Sequence, residues 1–259
     1  MLRSVKDLSG QVIHARDGEL GTVEQFLFDD ESWTIRYLVV ETSKLMGRKV
    51  LISPISFDRK QNTDGLTLSL SKAQIRNSPD IDTAKPVSRQ LEAEYLNYYG
   101  YPYYWGGPGL WGATSYPLAH PAMSRGVGYP DRTSGHAGTT AAARPQTTTE
   151  EGDPHLRSTK EVLGYYIEAT DGDIGHVEDF LIDDENWAIR YIVIDTVNWW
   201  PGKKVVVAPQ WIRDVSWVDS RVYVDLSRER IKKAPEYDPT RMMDRDYEEK
   251  LYAYYGSPQ

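Results

Sequence analysis

Chemistry needs the right side chains at the right spacing, so the histidines and acidic tracts come first. The five histidines are His14, His120, His136, His155 and His176, and the chain has no cysteine. A zinc site wants such ligands a few residues apart on one face. No H-x-x-x-H, H-E-x-x-H or C-x-x-C pattern occurs. Nor is there a G-x-x-x-x-G-K-[ST], a G-x-S-x-G, or a G-x-G-x-x-G between a strand and a helix. Gly106-Gly107-Pro108-Gly109 precedes no capped helix, so it does not read as a phosphate cradle. Without cysteine there are no disulfides, thiolate ligands or thiol nucleophiles. Asp29-Asp30-Glu31 and Asp183-Asp184-Glu185 offer hard oxygens for Ca²⁺. They lack the alternating ligands and central glycine of a calcium loop, and tandem acids of this kind favour turns. The expectation is no catalytic residue, no metal ligand and no cofactor.

Two other groups of residues stand out. Arg36 and Arg190 each sit in an I-R-Y sequence inside an otherwise apolar run. Both faces of that run are apolar, which predicts a strand covered on both sides. A lone charge there is too costly, so each arginine is expected in a buried ion pair with a carboxylate. The second group is aromatic: Tyr101, Tyr103, Tyr104, Trp105, Trp111 and Tyr116 fall within 16 residues. Exposed aromatics tend to mark contacts. Tyr101, Tyr103, Tyr104, Trp105 and Trp111, with Trp187 and Tyr191 of the long strand, are therefore the candidate partner contacts. The alternative for the aromatic stretch is that it folds back on the first half of the chain.

The elements that position these residues occur twice. Residues 17–42 read DGELGTVEQFLFDDESWTIRYLVVET, and residues 171–196 read DGDIGHVEDFLIDDENWAIRYIVIDT. A shift of 154 residues superimposes 2–42 on 156–196 with 23 of 41 positions identical and no gap. That is an internal duplication, and its long period means two copies of a small domain rather than a solenoid. Each copy opens with an Asp-Gly hairpin signal at Gly18 or Gly172. A second glycine, Gly21 or Gly175, signals a bulge or a close backbone approach. Strands are expected over 23–28 and 33–41, over 49–53 before Pro54, and over 66–70, with counterparts in the second copy. Ser71 and Gln74 form a capping box, whereas Ser227 faces Arg230 and keeps half of it. Leu91, Tyr95 and Tyr98 share one helical face, as do Met243, Tyr247, Leu251 and Tyr254.

The pattern G-x-x-[IL]-G-x-V-x-x-F-x-x-D, then W-x-I-R-Y-[LI]-V-[VI], then G-[RK]-K-V and a proline resembles the PRC-barrel family over roughly residues 1–80 and 155–236. That family includes the cytoplasmic domain of the photosynthetic reaction-centre H subunit and the C-terminal domain of a ribosome-maturation factor. The resemblance implies small, mostly antiparallel β-barrels that act as docking or assembly modules, with no shared catalytic residues.

The fold class expected is mainly β: two tandem small antiparallel β-barrels with short appended helices and a disordered linker. The domains are 1–80, a helix in 81–100, a linker over 101–154, a second barrel over 155–236 and a terminal helix in 237–259. Of the 50 residues from 100 to 149, 25 are Gly, Pro, Ser or Thr and four are charged, which reads as linker. Residues 150–259 carry 14 basic and 23 acidic side chains against a net charge of −8 for the whole chain, which argues against nucleic acid. No run is long and apolar enough to span a membrane and no signal-peptide core opens the chain, so a cytoplasmic location is expected. The function expected is a bacterial adaptor with a protein partner, peripheral to a membrane or free of it. Two alternatives stand beside it: an electron-transport accessory, by likeness to the H subunit, and a small-ligand or metal-ion binder. Repeat-to-repeat or homo-oligomer contact is allowed, with the two long strands covering each other.

Overall fold

The structure, a computed structural model, describes residues 1–42, 47–58, 66–80, 86–119, 155–196, 203–241 and 243–256. His120, His136 and most of the expected linker lie outside the described residues. The first copy contains β1 (Leu2–Ser4), the one-turn α1 (Val5–Leu8), β2 (Val12–Ala15), β3 (Gly18–Asp29), β4 (Thr34–Thr42), β5 (Lys49–Ile52), β6 (Leu66–Thr67), α2 (Lys72–Arg76) and α3 (Arg89–Tyr99). The second contains β7 (Leu156–Ser158), α4 (Thr159–Val162), β8 (Tyr166–Ala169), β9 (Gly172–Asp183), β10 (Ile189–Asp195), β11 (Lys204–Val207), β12 (Ile212–Ser216), β13 (Arg221–Val224), α5 (Arg228–Lys232) and α6 (Arg245–Tyr255).

These elements build a mainly β protein with two sheets. One runs β5-β4-β3-β2-β6 and the other β11-β10-β9-β8-β13-β12. Each is mixed, because β2 pairs β6, and β8 pairs β13, in parallel. Local chemistry accounts for the turns. The β2–β3 hairpin closes at Gly18, whose φ of 121° lies where glycine alone is comfortable. At Gly175 a Cβ would lie 2.0 Å from the Asp195 carbonyl oxygen, so the close approach between β9 and β10 requires glycine. Ser71 and Gln74 make a full capping box on α2, and Ser227 alone caps α5. Gly100, at φ 68°, ends α3 in the left-handed conformation.

The two copies are interlocked at their starts. β1 adds to β9 of the second sheet, and β7 adds to β3 of the first. The registers are equivalent: Leu2 faces Asp183, and Leu156 faces Asp29. Each lead strand thus completes the other copy's sheet, a reciprocal exchange about a pseudo-two-fold axis. Polar contacts repeat the symmetry. The Ser4 hydroxyl donates to the Asp179 carboxylate, and the Ser158 hydroxyl donates to Gln25 Oε1 at 2.5 Å. The Asp184 N–H donates to the Met1 carbonyl at 3.0 Å, and the Asp30 N–H to the His155 carbonyl at 3.1 Å.

On the axis itself, Trp33 and Trp187 hold φ of 50° and 63°, a costly region for a bulky side chain. That conformation turns their carbonyls across the axis. Ile189 N–H donates to Trp33 O at 2.7 Å, and Ile35 N–H donates to Trp187 O at 2.9 Å. Phe28 and Phe180 meet between the sheets, and Phe57 stacks on Trp187 with centroids 5.2 Å apart. The core is one continuous cluster through both copies.

Two expectations require correction. The first part of the expected disordered linker, residues 101–119, packs on the protein and buries Tyr101, Tyr104 and Trp111. Its aromatics supply the buried area that its composition otherwise lacks. The second concerns Arg190, expected in a buried pair: it is exposed and makes no ion pair with a described residue.

Candidate functional site

The first copy assembles a closed polar box around Arg36. β4 delivers the arginine at 3% exposure, and the turn before it delivers Asp29 and Ser32. Asp29 Oδ1 accepts the Glu31 and Ser32 amides, both at 3.0 Å, which fixes the acidic turn. Asp29 Oδ2 takes Arg36 Nη2 at 3.4 Å, and Ser32 Oγ accepts the same nitrogen at 2.9 Å. Burial pulls the Arg36 guanidinium down from its usual range, and the Asp29 charge opposes that fall.

The cover of the box is the chain's own aromatic segment. The Arg36 guanidinium lies 3.9 Å from the Tyr104 ring centre and 5.0 Å from that of Trp111. Its other nitrogen donates to the Leu110 carbonyl. The Trp111 indole reaches across the axis and donates to Asn186 O at 2.8 Å. The Tyr104 hydroxyl donates to Glu92 Oε1 at 2.7 Å. Glu92, on α3 and fully buried, also meets His155 Nε2 at 2.6 Å. Burial pushes the Tyr104 hydroxyl well up, and the Glu92 charge adds to the effect. The box is a recognition geometry: a desolvated cation beside two rings, with the Tyr104 hydroxyl and the Trp111 indole hydrogen each placed on an acceptor.

Among the described residues, the second copy repeats the frame without the cover. Arg190 corresponds to Arg36 and is exposed. Asp183 keeps the turn bond to the Glu185 amide at 2.9 Å. Glu248, the counterpart of Glu92 on α6, is half-buried and accepts the Tyr191 hydroxyl at 2.9 Å. The helices sit alike in both copies: the Tyr98 hydroxyl donates to Gln74 O at 2.8 Å, and the Tyr254 hydroxyl donates to Arg230 O at 2.7 Å. Across the axis, Trp187 on the covered side is 5% exposed, while its mate Trp33 is half-buried.

Among the expected partner contacts, Tyr101, Tyr104, Trp111, Trp187 and Tyr191 are therefore buried within the chain, which corrects that reading for these five. Trp105 is exposed and Tyr103 half-buried, stacked on each other at 4.9 Å. Three features escaped the sequence reading. Glu92 and His155 had no visible signal, because 63 residues separate them. His176, Glu178 and Asp195 converge only through the β9–β10 register, with ligand atoms within 4.8 Å of one another. Lys6 at 2.5 Å and Lys204 at 3.2 Å already engage Glu178. A cleft of about 380 Å³ in the second copy is lined by Ile174, Val205 and Ile231, by the cations Lys203, Arg228, Lys232 and Lys233, and by Asp171 and Glu229, the last paired with Lys233 at 2.6 Å.

Comparison with protein-family models finds no match to this chain, and comparison with curated proteins finds none.

Proposed function

We propose that this chain is a non-catalytic adaptor of the PRC-barrel kind, whose two interlocked copies dock protein segments in an assembly. The observation that carries the reading is the Arg36 box. The fold there holds an eleven-residue aromatic stretch, 101–111, through cation–π contacts, directed hydrogen bonds and buried rings. A surface built to hold one turned aromatic segment has the chemistry of an adaptor. Among the described residues no helix is long and apolar enough to cross a membrane, and the longest helices have 11 residues. The proposed place of work is the cytoplasm, free or at a membrane surface.

The test is cross-linked purification of the full chain from its native host, run on soluble and membrane fractions. A discrete protein recovered at stoichiometric level supports the adaptor. Recovery of none in either fraction contradicts it. A second reading, a binder of small anions, is favoured by the basic cleft beside Lys203 and Arg228. It predicts a higher melting temperature with phosphate or nucleotides, since a ligand at 100 times its Kd adds about 2.7 kcal/mol.

A further inference from the structure

We infer that the Arg190 face of the second copy is an open docking site for an aromatic segment of a partner protein, of the same chemistry as residues 101–111 of this chain. The inference rests on the adaptor reading and names the occupant.

The first copy supplies the template. There, one tyrosine covers the arginine and reaches the helix glutamate. A tryptophan seven residues later covers the same arginine and donates to a turn carbonyl across the axis. Every receiving group has its counterpart in the second copy. Arg190 replaces Arg36, Glu248 replaces Glu92, and the Ser32 carbonyl, which also accepts the Thr34 hydroxyl at 3.1 Å, replaces that of Asn186. Each side chain on the receiving side is more open than its mate. Arg190 is exposed, Asp183 and Glu248 are half-buried, and Trp33 is half-buried, whereas Arg36, Asp29, Glu92 and Trp187 are buried.

The shared frame defines what fits. Tyr191 is fully buried and donates to Glu248 Oε1, and the half-buried Glu248 carboxylate is the acceptor that an incoming hydroxyl meets. The occupant carries a tyrosine whose ring lies over Arg190 and whose hydroxyl donates to Glu248. Seven residues on, it carries a tryptophan whose indole donates to the Ser32 carbonyl. Glycine and proline between them turn the segment back so that both rings reach one arginine, as Gly106 to Gly109 and the Gly109–Gly112 bridge do in this chain. It carries little negative charge, because Asp183, Asp184 and Glu185 flank the site and like charges repel.

The test uses the full chain and a labelled synthetic peptide of residues 101–116, with a photoreactive group beside its tyrosine. Saturable one-to-one binding is expected, with cross-links to the second copy around Arg190 and Trp33. Arg190→Ala weakens it by about tenfold or more, the effect of a lost cation–π contact and its hydrogen bonds, without lowering the melting temperature. A peptide with alanine for the tyrosine and tryptophan loses binding. The inference is overturned by no saturable binding, by cross-links confined to the Arg36 side, or by unchanged affinity of the Arg190→Ala chain. It is also overturned if the chain dimerises through this face, or binds anionic vesicles through Arg190. If the peptide fails while the host purification still recovers a partner that ignores Arg190→Ala, only this inference falls. If both fail, the adaptor reading falls with it.

Discussion

Trp111→Ala separates a docked aromatic segment from a loose one. The side chain is 2% exposed, stacks beside Arg36 and donates its indole hydrogen to Asn186 O at 2.8 Å. Truncating a buried tryptophan costs about 3–5 kcal/mol from lost transfer energy and the cavity left behind. The indole bond is worth about 1 kcal/mol and the desolvated cation–π contact up to ~2 kcal/mol, and part of each is already counted in the truncation. The loss is capped by the docking energy of the segment, since 101–119 can detach rather than tolerate a cavity. A net of about 4 kcal/mol is expected, which lowers the melting temperature by roughly 8–16 °C for a chain of this size. Urea denaturation and thermal melting of the full chain both read it. The same variant is expected to increase hydrogen exchange at the Arg36 turn, where water re-enters. A segment that does not dock behaves as surface, where substitutions stay within about 0.5 kcal/mol. A drop below about 2 °C with unchanged exchange refutes the box.

Arg36→Ala leaves the Asp29 carboxylate buried without its partner and is expected to cost about 3–5 kcal/mol by denaturant titration, while Arg190→Ala stays within about 0.5 kcal/mol. Equal effects would contradict the asymmetry between the copies. Gly175→Ala places a Cβ 2.0 Å from a backbone oxygen and is expected to cost about 3 kcal/mol or more, read as loss of soluble folded protein. Burial pushes the Glu178 carboxyl up, but bonds from Lys6 and Lys204 outweigh it and hold it below the usual carboxylate range. A depressed carboxyl contributes stability above its unfolded-state value, and that stability is lost as pH falls through the folded value. Stability is therefore expected to fall below about pH 4.5, with a shallower acid limb in Glu178→Gln.

The repeated register made much of this legible. The Asp-Gly hairpins, the acidic turns, the serine helix caps and the aromatic helix faces are local, and each depends on residues within a few positions of one another. The lead-strand exchange was not visible. Leu-Arg-Ser carries no mark of which sheet it joins, and only the three-dimensional pairing of Leu2 with Asp183 decides it. Arg36 and Arg190 were read as equivalent because the I-R-Y sequences are identical. Their difference comes from Leu110, 74 residues beyond Arg36, and the rings beside it. The aromatic segment reads as linker because half of residues 100–149 are Gly, Pro, Ser or Thr and only four are charged. Its three buried rings, Tyr101, Tyr104 and Trp111, offset that composition.

The central claim, that each copy is completed by the other's lead strand, is tested most directly by removing residues 1–4 and following hydrogen exchange along the whole chain. The account predicts that protection is lost first at the β1-facing amides within 181–184 of the second copy, above all Asp184, whose N–H donates to the Met1 carbonyl, 177 or more residues away in sequence. Loss confined to the neighbouring residues 5–29, with 181–184 unchanged, would contradict it.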